Sequence, residues 1–186
     1  MPDDKRLYTR YFVNTQVALV PIARGLEKAS PAVTWFAAQG HEDLLSDLDA
    51  VNRESWSLLR HFEHQESVGA RATFLTSRRL DLLTRLVIGP RNLDALVAAE
   101  SLSANGLRCN PADPVRPGEM FALCLPMPGQ PDLIFTYLEC VWSRQAAEGW
   151  WMGGEFMEIH PVDRQRIEAI LARGRFEVES AVRQGV

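Results

Sequence analysis

The chain changes its hydrophobic periodicity twice, and this change constrains its fold more than any other feature. Residues 10–21 are rich in aromatic and β-branched side chains, and the run stops at Pro21 and Gly25, which predicts one strand. Between about residues 26 and 90, apolar residues recur at intervals of three and four, which is the helical period. From residue 91 onwards, short apolar runs alternate with turns rich in proline and glycine. The sequence therefore predicts a β-rich unit that is interrupted by a helical segment.

The C-terminal half has the pattern of an antiparallel barrel or sandwich, because its apolar runs are short and closely spaced. We expect a turn at Ser101–Gly106 and a closing helix from Pro161, where apolar residues return to helical spacing. The expected strands are Leu93–Ala99, Leu107–Cys109, Met120–Leu125, Leu133–Ser143 and Trp150–Ile159.

The helical segment has an apolar stripe that needs a partner. The residues of this stripe alternate between spacings of four and three, and the polar Ser55 interrupts them. They are Leu44, Leu48, Val51, Leu58 and Phe62. Such a stripe can fold back on the barrel as a hairpin, or it can pair with the same helices of another subunit as in a coiled coil. The heptad-like spacing favours the second arrangement, a homo-oligomer.

Composition narrows the class of protein. A chain of 186 residues with 46% hydrophobic and 24% charged residues can build a core, and its net charge of −4 argues against wrapping nucleic acid. No signal-type segment follows the charged N-terminus, and no apolar run reaches the roughly 18 residues of a membrane span. Cys109, Cys124 and Cys140 lie in or beside apolar runs, which predicts buried, reduced thiols. These features predict a cytoplasmic protein.

Two short motifs indicate a site for an anionic ligand. Arg6 and Arg10 lie four residues apart just before the first strand, so in an extended chain both guanidinium groups share one face. The second motif lies in the β-rich half and consists of Ser101, Ser103 and Gly106. The serine hydroxyl groups can donate hydrogen bonds to a ligand, and the glycine allows a ligand to approach the backbone closely.

These motifs resemble those of PilZ domains. Arg6-x-x-x-Arg10 resembles the arginine motif of that family, and Ser101-x-Ser103-x-x-Gly106 resembles its second motif, (Asp/Asn)-x-Ser-x-x-Gly. The order of the later strands and the closing helix is also similar. The resemblance implies an α+β fold, a small antiparallel β-barrel with a C-terminal helix. Residues 1–25 and 91–186 would form this barrel, and residues 26–90 a long helical insertion.

The resemblance also implies a function and its residues. It implies a non-enzymatic receptor for cyclic di-GMP that passes the level of this messenger to a protein partner, without a cofactor or metal. Arg6 and Arg10 would bind phosphate and stack on purines, while Ser103 and Gly106 would approach the ligand from the second motif. Ser101 stands where the family has a carboxylate or an amide that engages a guanine edge. The sequence contains no nucleophile elbow, Walker loop or dinucleotide fingerprint.

In a second interpretation the chain has the same fold but does not bind cyclic di-GMP. The serine at position 101 makes fewer hydrogen bonds than asparagine, and the insertion resembles the long helices through which some PilZ proteins assemble. The chain would then be a degenerate PilZ protein that acts as an oligomeric interaction module.

Overall fold

The computed structural model describes residues 11–37, 41–62, 96–127, 133–147 and 149–184, together with positions 69, 73, 75, 76, 80 and 83. In chain order the elements are β1 (Tyr11–Ile22), two short 3-10 helices (Leu26–Lys28 and Ala32–Phe36), α1 (Glu42–Phe62), β2 (Leu96–Ser103), β3 (Gly106–Asn110), β4 (Met120–Pro126), β5 (Leu133–Ala146), β6 (Gly149–Met157) and α2 (Pro161–Gln184).

The six strands form a closed antiparallel barrel, as the sequence predicts. Its strand order is β1-β2-β3-β6-β5-β4, so every described strand has two neighbours. Closure removes free sheet edges, and alternate side chains fill the interior. The interior side chains include Val17, Leu102, Leu107, Leu123 and Leu138.

Helix α2 begins directly after β6 and completes the interior. Ile167 and Leu171 of this helix, and Ile159 before it, belong to the same buried cluster as the inward-facing strand residues. The predicted closing helix is therefore confirmed, and its first turns supply apolar surface that six short strands do not provide.

One half of the barrel's outer surface is covered by the segment after β1. Val33 and Phe36 of the second 3-10 helix and Leu45 of α1 pack on outward-facing residues of β1, β4 and β5 such as Ala122 and Phe135. The fold thus has a second apolar layer outside the barrel.

Hydrogen bonds around Tyr137 of β5 fix this cover. Its hydroxyl group donates to the carbonyl oxygen of Ser30 and accepts a hydrogen bond from Trp35 Nε1 at 3.2 Å. Burial is the main reason that the pKa of the Tyr137 hydroxyl is raised. The β1–β4–β5 side of the barrel is therefore occupied by this chain's own residues.

Helix α1 has two faces of different character. Leu45, Asp49 and Asn52 are buried, whereas Leu44 and Leu58, which belong to the predicted stripe, are 47% and 50% exposed. The stripe therefore faces away from its own barrel along the described part of the helix.

An ion cluster joins the buried face of α1 to α2. Arg53 Nη1 lies 2.7 Å from Asp49 Oδ2, and Arg53 Nε donates to Asp163 Oδ2 at 2.7 Å. Arg166 Nη1 also donates to Asp163, at 3.2 Å, and its guanidinium carbon lies 5.7 Å from the ring centre of Trp56. Charged side chains thus connect the two helices.

One detail of the predicted secondary structure is wrong. Strand β2 continues to Ser103, so only Ala104 and Asn105 form the turn that was expected over residues 101–106. The backbone between Ser101 and Ser103 pairs with β3, and this pairing extends the strand.

The three cysteines are buried and free, as predicted. Burial raises the pKa of the Cys109 thiol to about 12, so this side chain behaves as a small apolar residue. Within the described residues, no helix has the length and hydropathy that a membrane span requires.

Candidate functional site

The second motif folds as one hairpin. Ser101 and Ser103 lie near the end of β2, and Gly106 is the first residue of β3. Ser103 Oγ donates to the carbonyl oxygen of Gly106 at 3.1 Å, which ties the two ends of the motif together. Arg6 and Arg10 lie outside the described residues.

Gly106 allows two strands to approach each other. A Cβ atom at this position would lie 2.1 Å from the carbonyl oxygen of Gly154, a backbone atom of β6. Any side chain would therefore push β3 away from β6. The motif glycine has a structural role in the barrel in addition to any role at a ligand.

The two strands of the hairpin, β2 and β3, contribute no residue to the apolar layer outside the barrel. Leu107 and Cys109 of β3 point into the interior, so Arg108 between them points outward. Phe12 of β1 is paired with Ser101 of β2, and Ser101 is paired with Arg108 of β3. Gly153 of β6 is paired with Arg108 on one side and with Trp142 of β5 on the other. These five residues form one row across β1, β2, β3, β6 and β5, which we call the hairpin row.

The hairpin row has aromatic side chains at both ends and a cation in the middle. Phe12 is 84% exposed at one end. At the other end Gly153 leaves room for the Trp142 indole, because a Cβ atom there would lie 2.2 Å from Trp142 Nε1. The guanidinium of Arg144 lies 5.4 Å from the Trp142 ring centre. Such a surface offers planar groups on which a base can stack and a charge that attracts phosphate.

A β-bulge adds a carboxylate to this surface. The pairing of β2 with β3 shifts between Ala99 and Ser101, so Glu100 is an extra residue opposite β3. Glu100 Oε2 forms an ion pair with Arg108 Nη2. The guanidinium of Arg108 also lies 5.2 Å from the ring centre of Trp151.

The sequence alone predicted the motif residues but not their neighbours. Glu100, Arg108 and the two tryptophans next to them, Trp142 and Trp151, belong to neither of the two motifs. The structure shows these indoles half-buried on the outer face. Knowing the strand register would have been necessary to find them, because a one-residue shift moves a side chain to the other face.

A cavity of about 400 Å³ lies elsewhere on the barrel, between the first 3-10 helices, β5 and the β6–α2 connection. Its charged lining includes both signs, with Lys28 and His160 near Glu27 and Glu158. Within the described part of the chain, no group of three or more potential ligand side chains could hold a metal ion.

The closed six-stranded barrel, its closing helix and the Ser-x-Ser-x-x-Gly hairpin define a PilZ-type fold. The family model described as PilZ domain matches residues 76–173, which is more than half of the chain. The chain belongs to the PilZ domain family. No curated protein matches its sequence significantly.

A solved structure with a TM-score above 0.5 shares this fold at low sequence identity. A tetrameric PilZ protein from Xanthomonas campestris, described as self-assembled through a helical bundle, is 14% identical with a TM-score of 0.51, and the match covers 95% of this chain and 92% of that protein. The motility inhibitor MotI (DgrA) of Bacillus subtilis is 13% identical with a TM-score of 0.49, over 94% of this chain and 52% of that protein.

The Escherichia coli protein YcgR, solved in complex with c-di-GMP, is 14% identical with a TM-score of 0.43. The match covers 48% of this chain and 39% of YcgR. This chain therefore spans about half of the Bacillus protein and less than half of YcgR.

Proposed function

We propose that this protein is a non-enzymatic receptor for cyclic di-GMP that acts in the cytoplasm and signals to a protein partner. The nucleotide binds on the outer face of the β2–β3 hairpin, with Arg6 and Arg10 on its phosphates and Ser101, Ser103 and Gly106 beneath it. Family membership supports this ligand class, since the resemblance of both motifs to those of PilZ domains implies it.

One observation carries the proposal. Tyr11, the first residue of β1, pairs with Leu102 in the middle of the second motif. Arg10 is joined to Tyr11 by one peptide bond, so its Cα atom lies about 3.8 Å from that of Tyr11. Arg6 is only four residues further along the chain. Chain connectivity alone therefore keeps both guanidinium groups within reach of the hairpin.

The signalling step follows from the position of the arginines. They precede β1, whereas the hairpin belongs to the barrel, so a ligand that binds both groups ties the N-terminal segment to the outer face. Charge-assisted hydrogen bonds between guanidinium groups and phosphate supply the free energy for this ordering. We propose that the partner distinguishes the free and the tied segment.

Calorimetric titration with cyclic di-GMP tests this function, with cyclic di-AMP as the ligand control. We expect saturable, guanine-selective binding that is lost in Arg6→Ala and Arg10→Ala. Arg24→Ala is the matched control, because Arg24 is a 75% exposed arginine that follows the far end of β1, whereas Arg6 and Arg10 precede its first residue. No heat and no competition at high micromolar ligand would refute the proposal, and unchanged binding by Arg10→Ala would refute this placement of the site.

A second function is supported by the stripe on α1. Leu44, Val51 and Leu58 lie seven residues apart and are between 43% and 50% exposed. Residues at this spacing form the contact line of paired helices. We propose that a second copy of the chain covers this stripe, so that the protein is an oligomeric interaction module with or without nucleotide. The Xanthomonas protein is described as assembling through a helical bundle, which supports the same idea.

Light scattering over a range of protein concentrations tests this alternative. We expect a mass above the monomer that falls in Val51→Glu, since a buried charge disrupts an apolar contact line. Ala50→Glu is the matched control: Ala50 is exposed on the same helix, and at 100° per residue it lies away from the stripe. A sharply monomeric parent at every concentration would refute self-assembly.

A further inference from the structure

We propose that Glu100 is the residue that recognises guanine in this protein, replacing the carboxylate or amide that Ser101 lacks. The inference rests on the proposed function and adds to it the residue that determines base specificity. Three features of the structure carry it: the bulge in β2, the ion pair with Arg108, and the burial of Ser101.

The bulge moves Glu100 onto the face that it would otherwise avoid. In a regular strand, neighbouring residues point to opposite faces, so Glu100 and Ser101 could not both point outward. Cys109 pairs with Ala99 and Arg108 pairs with Ser101, which leaves Glu100 and Ser101 together opposite Arg108. A bulge re-aims side chains in this way, and bulges are frequent next to functional sites.

The ion pair fixes the direction of the carboxylate. The side chains of Glu100 and Arg108 are 34% and 25% exposed, so the pair is partly shielded from water. The contact uses Oε2 of Glu100. Arg108 is positioned in turn by the Trp151 ring beneath its guanidinium. The carboxylate of Glu100 is thus held beside Arg108, with about a third of the side chain exposed.

The chemistry of this acceptor selects guanine. The Watson–Crick edge of guanine presents the N1–H and N2–H donors side by side, and a carboxylate can accept both. Adenine presents an unprotonated N1 at the same place, which a carboxylate repels. Ser101 is only 5% exposed and has a single hydroxyl group, so it cannot form the same two bonds.

The charge balance also fits an anionic ligand. Arg108 neutralises Glu100, so the carboxylate does not add net negative charge where the phosphates bind. In the proposed function the phosphates bind to Arg6 and Arg10. Glu100 therefore contributes specificity, and the arginines contribute most of the attraction.

Calorimetric titration of the full chain with three cyclic dinucleotides tests the inference. Cyclic di-GMP is compared with cyclic di-IMP, which lacks only the N2 amino group, and with cyclic di-AMP. For the parent we expect the order cyclic di-GMP, cyclic di-IMP, cyclic di-AMP. Glu100→Ala removes the acceptor oxygens, so we expect about tenfold weaker binding of cyclic di-GMP and a smaller preference over cyclic di-IMP. Glu168→Ala, an exposed glutamate of α2, is the matched control.

The outcomes separate this inference from the proposed function. If the parent binds cyclic di-GMP and Glu100→Ala binds it equally well or more tightly, Glu100 does not recognise guanine, although the receptor function stands. If the parent binds cyclic di-GMP and cyclic di-IMP equally, the inference is also overturned, and this comparison needs no variant. If the parent binds no nucleotide, both the function and the inference are wrong.

Discussion

Removing Asp163 is the most severe single change that we predict for the junction of α1 and α2. This carboxylate is 1% exposed and accepts hydrogen bonds from Arg53 at 2.7 Å and from Arg166 at 3.2 Å. In Asp163→Ala, Arg166, whose side chain is 3% exposed, loses this anionic partner inside the protein. Removing one member of a buried ion pair costs about 3–5 kcal/mol.

Urea unfolding followed by tryptophan fluorescence measures this change. With a denaturant slope of about 2 kcal/mol per molar, the loss corresponds to a midpoint that is lower by roughly 2 M. Glu168→Ala, an exposed site on the same helix, should change the unfolding free energy by less than about 0.5 kcal/mol. If Asp163→Ala were as stable as this control, the ion cluster would not hold α1 against α2, and our description of the junction would be wrong.

Three further experiments test other parts of the structure. In Gly106→Ala, the new methyl group collides with the carbonyl oxygen of Gly154. We therefore expect the unfolding free energy, measured in urea, to fall by more than about 1 kcal/mol. An unchanged urea midpoint would contradict the close approach of β3 and β6. Burial raises the pKa of Asp49 from 3.8 to about 6. Between these two pKa values the folded protein binds more protons than the unfolded chain. The contribution of Asp49 to the unfolding free energy therefore falls as the pH rises through this range. Relative to the parent, Asp49→Asn should become more stable between about pH 4 and pH 6, and parallel pH profiles would refute this assignment. All three cysteines are buried, so a thiol reagent should label them only after unfolding, and rapid labelling of Cys109 in the native protein would contradict its environment.

The barrel could be predicted from the sequence because its signals are local. Short apolar runs, turn residues and the helical spacing after Pro161 each depend on a few neighbouring residues, and the strands at Met120–Pro126 and Gly149–Met157 lie close to the predicted ones. The extent of β2 was misjudged because Ser101 and Ser103 have turn-forming side chains. Pairing with β3 decides their conformation, and this pairing is not visible in the sequence.

The faces of α1 show the second limit of sequence reasoning. The stripe of Leu44, Val51 and Leu58 follows the helical period and was expected to find a partner, but it lies exposed within a single chain. The face that packs on this chain's own residues includes Asp49 and Asn52, which a hydrophobic pattern assigns to solvent. Asp49 is paired there with Arg53, which also binds Asp163, a residue 110 positions away in the chain.

The residues of the candidate site also fall into two groups, those that the sequence indicates and those that only the structure brings together. Its motif residues were found by their resemblance to a family, whereas Glu100 and Arg108 come together only through a bulge and an inter-strand register. Neither feature follows from residue types or from their spacing. The placement of Arg6 and Arg10 at the hairpin remains a prediction.

Hydrogen–deuterium exchange with and without cyclic di-GMP tests the central claim most directly, because it reports binding and its location in one experiment. We predict slower exchange in peptides that contain residues 6–12 and 100–108, and little change in peptides from α1. Protection at the cavity near residues 27–32 and 157–160, or no protection anywhere at saturating nucleotide, would contradict the proposal that the outer face of the β2–β3 hairpin is a cyclic di-GMP receptor site.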